Sequence, residues 1–250
     1  MQSFTFQPIG VIETCFKEKF GIPRQPGLSS SALGTIKLRD EPDLRTAIRE
    51  LEKFSHLWVI FVFHEHGSLN WKPSIRPPRL GGARKVGVLA SRSPHRPNPI
   101  GLSAVKVEAV RPDAAGGAEI EVSGVDILDG SPVLDVKPYI PYADSIPDAN
   151  AGWAAEPIER VPVEFTPAGE RALAEKLKDR SVEKTKALII EMLELDPRPA
   201  FQKRKFPRNS KEVCGQRYGI QIMDFDVKWE IHEEGFKVTD IGDIGEPPVR

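Results

Sequence analysis

Residues 57–63, LWVIFVF, place seven apolar side chains in a row, most of them β-branched or aromatic. A run of that length and make-up suits a strand buried on both faces, so the chain has to be organised around a sheet with this segment as its spine. Further short strands are expected at 4–14, where Pro8 marks a bulge or an edge, and at 32–38, 85–91, 101–110, 118–125 and 132–136. Residues 114–117 read as a hairpin turn. One helix is expected among them, at 43–54, where Leu44, Ala47, Ile48, Leu51 and Phe54 recur at helical spacing and Asp43 or Asp40 can cap the start. Many short strands with a single helix argue for a closed or nearly closed β-barrel, not for an alternating βαβ sheet.

The pattern changes across 149–162, a stretch dominated by Ala, Gly, Pro and Glu that suits a domain boundary. Thr166 as N-cap and Pro167 in the first turn open a helix that runs to about residue 178. A second helix at 181–195 carries Thr185, Leu188, Met192 and Leu195 on one stripe, until DPRP at 196–199 stops it. Strands at 218–231 and 236–241 follow. The expected fold class is therefore mainly β: a compact barrel with one inserted helix over residues 1–155, then a small α+β C-terminal domain over 156–250. A chain of 250 residues has room for one substantial core and such an appendage.

Several function classes are excluded early. No GxGxxG follows a strand and no GxxxxGK precedes a Ser or Thr, which removes Rossmann methyltransferases, dehydrogenases and P-loop kinases; no GxSxG elbow occurs either. Cys15 and Cys214 lie far apart with no CxxC partner, so neither a disulfide framework nor a thiolate metal site is expected. No apolar run reaches membrane-spanning length and no export signal opens the chain, so the expected place of work is the cytosol, with no membrane partner.

The net charge of −1 hides a strong internal polarity. Residues 71–111 hold nine Lys or Arg against the single acid Glu108, whereas residues 112–170 hold twelve Asp or Glu against Lys137 and Arg160. The first block can meet a polyanion. At its centre, residues 76–103 set Arg76, Arg79, Arg84, Lys85, Arg92, His95 and Arg96 into a frame stiffened by Pro and Gly, between two expected strands. A rigid loop of guanidinium groups can hold phosphate or carboxylate bidentately; the plainer alternative is a solvated surface loop. His64 and His66 share a strand face, but no third ligand at suitable spacing follows and no metal is expected. Asp126, Asp129 and Asp135 could do acid–base work or bind Mg²⁺, although turn chemistry alone can explain Asp129 beside Gly130.

PIGVIET, KEKFGIPRQPGL, LEKFSHLWVIFVFHEH, RPPRLGG, SRSPHRPNPIGLSAV, DILDGSPVLDVKPYIPYADS and DPRP stand in this order along the chain. In these long, colinear motifs the sequence resembles the TsaA-like, or TrmO, family of tRNA methyltransferases, closely over about the first 150 residues and more loosely beyond. The resemblance implies a β-barrel that dimerises and uses S-adenosylmethionine, held near the subunit contact, to methylate N6 of threonylcarbamoyladenosine next to the anticodon of tRNA. Matched motif by motif, it implies cofactor contacts at Gln25, Pro26, Gly27, His64, Glu65, Arg92, Leu102, Val125, Asp126, Ile127 and Leu128. A ribose-binding acid such as Glu65 and an apolar wall such as Leu102 are sensible partners for a sulfonium nucleoside.

N6 of this nucleoside lies between an adenine ring and a carbamoyl carbonyl, so its lone pair is delocalised and a base that takes the N6 proton would help. Asp126, Asp135, His95 and Tyr142 are the polar candidates, while Arg92 and Arg96 can clamp the substrate's carboxylate or phosphates. In the C-terminal half, residues 198–211 carry six basic residues and no acid, interleaved with Phe201 and Phe206, so Lys203, Arg204 and Lys205 are candidate contacts to tRNA. A non-catalytic RNA-binding barrel and a metal-dependent phosphoesterase are the alternatives from other classes.

Overall fold

Apolar residues at every second position close six antiparallel strands into a barrel in the computed structural model, which describes residues 2–66, 71–177, 181–208 and 210–245. In chain order the elements of this half are β1 (Gly10–Thr14), β2 (Leu33–Leu38), α1 (Pro42–Ala47), β3 (His56–Val62), β4 (Ser74–Ile75), β5 (Val86–Gly87), β6 (Ile100–Arg111), β7 (Glu119–Ser123), β8 (Ser131–Pro138) and α2 (Pro141–Asp144). The barrel runs β1-β2-β7-β6-β3-β8 and closes by pairing β8 with β1, which leaves no open edge. Its interior is filled by Ile12, Ile36, Leu57, Val59, Phe61, Val105, Ile120, Val122 and Val133, all buried. Gly101 leaves space for the Phe61 ring, since a Cβ there would stand 2.2 Å from Phe61 Cζ.

β3 forms the expected spine, between β6 and β8, but it is not buried on both faces. Burial alternates along it: Leu57, Val59 and Phe61 face the interior, while Trp58, Ile60 and Val62 are only half-buried on the outside. A barrel has one interior, so the continuous apolar run supplies that interior and an outer apolar patch as well.

Other expectations are shortened. The first strand begins only at Gly10, after Pro8. The expected helix at 43–54 is α1 plus a separate 3₁₀ turn, Leu51–Lys53, because Glu50 takes a left-handed φ of 71° that no α-helix continues through. Pro42 starts α1 and no side chain caps it; Asp40 instead pairs with Arg45 at 2.7 Å. Of the strand expected at 85–91, only β5 forms, laddered to β4, and it runs into the 3₁₀ turn Val88–Ala90.

The C-terminal half holds β9 (Val163–Phe165), α3 (Pro167–Lys176), α4 (Val182–Glu194), α5 (Ala200–Lys205), β10 (Arg217–Ile222), β11 (Phe225–His232) and β12 (Gly235–Asp243). The sheet order is β10-β11-β12-β9, with β9 parallel to β12. Both helix starts are as expected: Thr166 Oγ1 accepts from Gly169 N at 3.1 Å, and Ser181 Oγ accepts from Lys184 N at 3.4 Å. The anticipated residue 178 lies outside the described residues. α5 was not anticipated, because its residues AFQKRK show no apolar period.

DPRP does more than stop α4. Asp196 turns the chain with a φ of 47°, and Arg198, 1% exposed, grips its carboxylate with Nε at 2.9 Å and Nη2 at 2.8 Å. Nη1 of Arg198 donates to Phe206 O at 3.2 Å, and the guanidinium lies over the rings of Tyr218 and Phe236. The buried charge is thus paired and hydrogen-bonded, the condition under which an interior Arg is tolerated. The two halves are tied by Met223 N to Cys15 O at 2.9 Å, Arg160 Nη2 to Leu28 O at 2.8 Å, and Gln221 N to Glu18 Oε1 at 3.2 Å.

Candidate active site

A polar residue on the core face of a strand asks for a partner, and Ser103 is such a residue. It pairs with Val59 across β6 and β3, points inward, and is 2% exposed. Its Oγ donates to Asp126 Oδ1 at 2.6 Å. Asp126 opens the segment that leaves β7 and crosses the mouth of the barrel, flanked by buried Val125 and Ile127. Burial pushes its carboxyl up from 3.8 to about 6, against the opposing pull of the Ser103 hydrogen bond, its own backbone N–H and the Arg92 charge.

Arg92 links this acid to a second wall. Its Nη1 donates to Gln25 Oε1 at 2.5 Å, which draws residues 25–27 over the same mouth. Gly27 N then donates to Gly124 O at 2.9 Å, and both glycines take left-handed φ values, 76° and 74°. Such backbone is open to glycine without strain, and the position of a Gly27 Cβ is empty space. Leu102, the neighbour of Ser103, points outward from the barrel and is 53% exposed.

A third group stands beside them. The 3₁₀ turn His64–His66 follows β3, so His64 and His66 do not share a strand face as expected. Nδ1 of His64 lies 3.3 Å from Ser131 Oγ, which donates to Leu128 O at 2.7 Å. Lys19 Nζ holds both the carboxylate of Glu65 and its backbone oxygen at 3.0 Å, and that ion pair depresses the Glu65 carboxyl. His66 and His95 meet edge to face, centroids 5.2 Å apart. Burial lowers both imidazoles, helped by the charge of Lys19 at His66 and of Lys72 at His95, and His95 Nδ1 is buried with no hydrogen-bond partner among the described residues.

These three walls match a known family over most of the chain. Residues 11–145 match the tRNA-methyltransferase O N-terminal domain, and residues 158–244 match the TrmO C-terminal domain. The chain belongs to the TrmO family. It is 43% identical to the tRNA (adenine(37)-N6)-methyltransferase of Escherichia coli over 241 residues, 95% of this chain and 97% of that protein. It is 47% identical to the human enzyme of the same name over 143 residues, 56% of this chain and 31% of that protein. A crystal structure of TrmO from Pseudomonas aeruginosa superposes with a TM-score of 0.75 at 36% identity, covering 97% of this chain and 98% of that one.

Within this TrmO-family barrel, the candidates of the sequence separate into two sets. Hydrogen bonds join Gln25 to Arg92, Gly27 to Gly124 and Asp126 to Ser103, with His64 joined to Leu128 through Ser131, whereas Leu102 lies opposite Ile60 on the outside of the barrel. Asp135 does not join them. It pairs with Ile60, so it faces the outside of the barrel, where Lys137 holds it at 2.9 Å. Tyr142 is 91% exposed on α2, away from any of these contacts. Asp129 is a pin, accepting from Thr14 N at 2.8 Å and pairing with Lys17 at 2.8 Å, so the three aspartates form no common cluster.

Two basic assignments also change. Arg96 turns back on its own loop, donating from Nη1 to Ser91 O at 2.7 Å, so it braces the loop that carries Arg92. Lys203 donates to Asp196 O, and burial lowers its ammonium; it is part of the Asp196 network and not a free phosphate contact. Ser103 went unremarked in the sequence, although a lone hydroxyl between Gly101 and Val105 on an inward period was a usable signal.

Proposed function

We propose that this chain uses S-adenosylmethionine to methylate N6 of threonylcarbamoyladenosine in tRNA, next to the anticodon. Family membership supports the reaction class, and one feature of the chain carries the reading further: a largely buried acid of pKa about 6, Asp126, within the field of the Arg92 that holds Gln25. The site suits a sulfonium nucleoside, because it offers carboxylates at Asp126 and Glu65, an amide at Gln25, an apolar wall at Leu102, and open space over Gly27. When bound, the cofactor supplies an electrophilic methyl group. Asp126 Oδ takes the N6 proton as the new N–CH₃ bond forms, which leaves the product neutral at nitrogen. Arg92 holds Gln25 on one side, adds a small pull toward the ionised form of Asp126 on the other, and its remaining donors suit the substrate carboxylate. A barrel that only gripped RNA backbone has no use for such an acid.

Nucleoside mass spectrometry of tRNA incubated with the protein and S-adenosylmethionine tests this directly. Methylated threonylcarbamoyladenosine is expected; unmodified nucleoside after saturating incubation would sink the reading. Lys205, exposed at the end of α5, is assigned to tRNA phosphates together with Arg204, whose Nη1 also donates to Gly81 O. With both replaced by Ser, the salt slope of log tRNA affinity should fall by at most roughly 1.4 to 1.8, about 0.7 to 0.9 per lost contact. An unchanged slope would remove them from the interface. Residues 1–155 are assigned to methyl transfer and 156–250 to support and tRNA contact.

The chain is further proposed to act as a homodimer in the cytosol. Among the described residues no helix is long and apolar enough to cross a membrane. Trp58, Ile60, Val62, Ile100 and Leu102 make an apolar patch on the outside of β3 and β6, beside the cofactor wall. A patch of this kind is a contact surface in want of a partner. Ile60→Glu should convert a sedimenting dimer to monomer without unfolding it; a monomeric wild type at micromolar concentration would contradict the assignment. Recovery of the chain with membranes on fractionation would contradict the cytosolic placement.

A further inference from the structure

Glu191, on the inner side of α4, reaches out of the C-terminal half with both oxygens engaged. Oε2 accepts from Ser29 Oγ at 2.8 Å and from Ser31 N at 2.9 Å, and Oε1 accepts from Ser30 Oγ at 2.9 Å. One carboxylate therefore holds three consecutive residues. Burial raises its carboxyl, but the hydrogen bonds from Ser31, Ser29 and Ser30 outweigh that, so the group is a carboxylate at neutral pH.

The gripped residues sit where the two cofactor walls are joined. They lead from Gly27 into Ala32, whose carbonyl accepts from Gly124 N at 2.9 Å and Val125 N at 3.3 Å. Gly27 N closes the ring on Gly124 O. Residues 25–27 and 124–128 are thus held to each other through the very loop that Glu191 fixes, and Arg160 adds a bond to Leu28 O from the same half. α4 is a rigid support, buried along Thr185, Leu188, Ile189, Met192 and Leu193. Ser29 is 1% exposed, so removing its acceptor would leave a buried hydroxyl to find another and shift the loop.

We infer that Glu191 is a positioning residue of the S-adenosylmethionine site, through which the C-terminal half holds the cofactor loop in its binding conformation. This rests on the assignment of residues 25–27 and 124–128 to the cofactor, proposed above. Simple docking of the two halves would not require a grip on this particular loop, and the ties at Cys15, Glu18 and Gly81 serve docking without touching it.

The test uses the full chain and three variants. Glu191→Gln keeps the shape but halves the acceptor capacity, and it should raise the dissociation constant for S-adenosylmethionine roughly tenfold, as a loop displaced by a fraction of an ångström does. Affinity for tRNA and kcat at saturating cofactor should stay within about twofold of wild type. Ile189→Val, on the same helix, removes a buried methylene without touching the loop, so it should lower the denaturation midpoint and leave cofactor affinity unchanged. If Ile189→Val weakens the cofactor as much as Glu191→Gln does, the effect is stability and the inference fails. Gln25→Ala separates this inference from the site assignment. Weaker binding at Gln25→Ala with wild-type binding at Glu191→Gln overturns the positioning role alone. Wild-type binding in both overturns the site assignment and the role together.

Discussion

Measured at saturating S-adenosylmethionine, the single-turnover rate of Asp126→Asn should fall by about 10²- to 10⁴-fold, the range lost with a general base. The amide keeps the volume and can still accept from Ser103 Oγ, so the fold around it has no reason to move. The pH dependence sharpens the expectation. Because the native carboxyl titrates near about 6, the wild-type rate should climb about tenfold per pH unit below that value and level off above it. In Asp126→Asn that limb should disappear.

Stability should move the other way. The native pKa is raised above the ordinary 3.8, so the protonated acid is favoured by the fold: the resulting stability is full below about 4 and is lost as pH rises through about 6. Above that, the protein carries the cost of an ionised carboxyl in a largely buried place, on the order of 3 kcal/mol for a shift of about two units. Asp126→Asn should therefore resist denaturant better than wild type at pH 7.5, and equally well at pH 4. An Asn variant that keeps its rate within threefold, or keeps the pH limb, would exclude Asp126 as the base.

Arg92→Ala should lower kcat/KM by roughly 10- to 100-fold, the loss expected when a charged hydrogen bond worth about 1.5 to 3 kcal/mol is removed. Two separate consequences follow from the geometry. Gln25 loses the donor that draws its loop over the mouth, so cofactor affinity should fall. Asp126 loses the cation that opposes its burial, so the pH limb of the rate should shift upward from about 6. Arg92→Lys should restore the position of the limb more fully than the affinity, since an ammonium keeps the charge but not the planar fork. An unmoved limb in Arg92→Ala would show that Arg92 acts on the loop alone.

Local chemistry explains which elements could be read in advance. The caps at Thr166 and Ser181 satisfy N–H groups within one turn, and the apolar periods of β2, β6 and α4 repeat over short spans, so their information is contained in the segment. The spine at 57–63 was recognisable for the same reason, but its exposure was not: a two-sided apolar run fits a buried strand and a barrel strand with a sticky outer face equally well. Glu50 at φ 71° broke the expected helix against its own apolar spacing, which is a tertiary override of a local preference.

The candidate site divides along the same line. Motifs alone placed Gln25 to Gly27, Arg92, Leu102 and residues 125–128 in one list, but a list has no geometry, and Asp126 and Asp135 stood in it as equals. Strand register separates them: Ser103 opposite Val59 faces inward and meets Asp126, whereas Asp135 opposite Ile60 faces out. Desolvation, which raises the Asp126 carboxyl above that of an ordinary aspartate, exists only once the barrel is closed around it. The basic tail shows the converse, since Lys203 is one more cation in the sequence and is turned inward onto Asp196 by the fold. By itself the sequence determined the class of fold, the segments that form it and the chemical types gathered for the reaction, because these depend on neighbours along the chain. Which acid is buried, which cation is turned inward and which half holds the loop at 29–31 depend on contacts such as Glu191 to Ser29, 162 residues apart, and only the folded chain decides those.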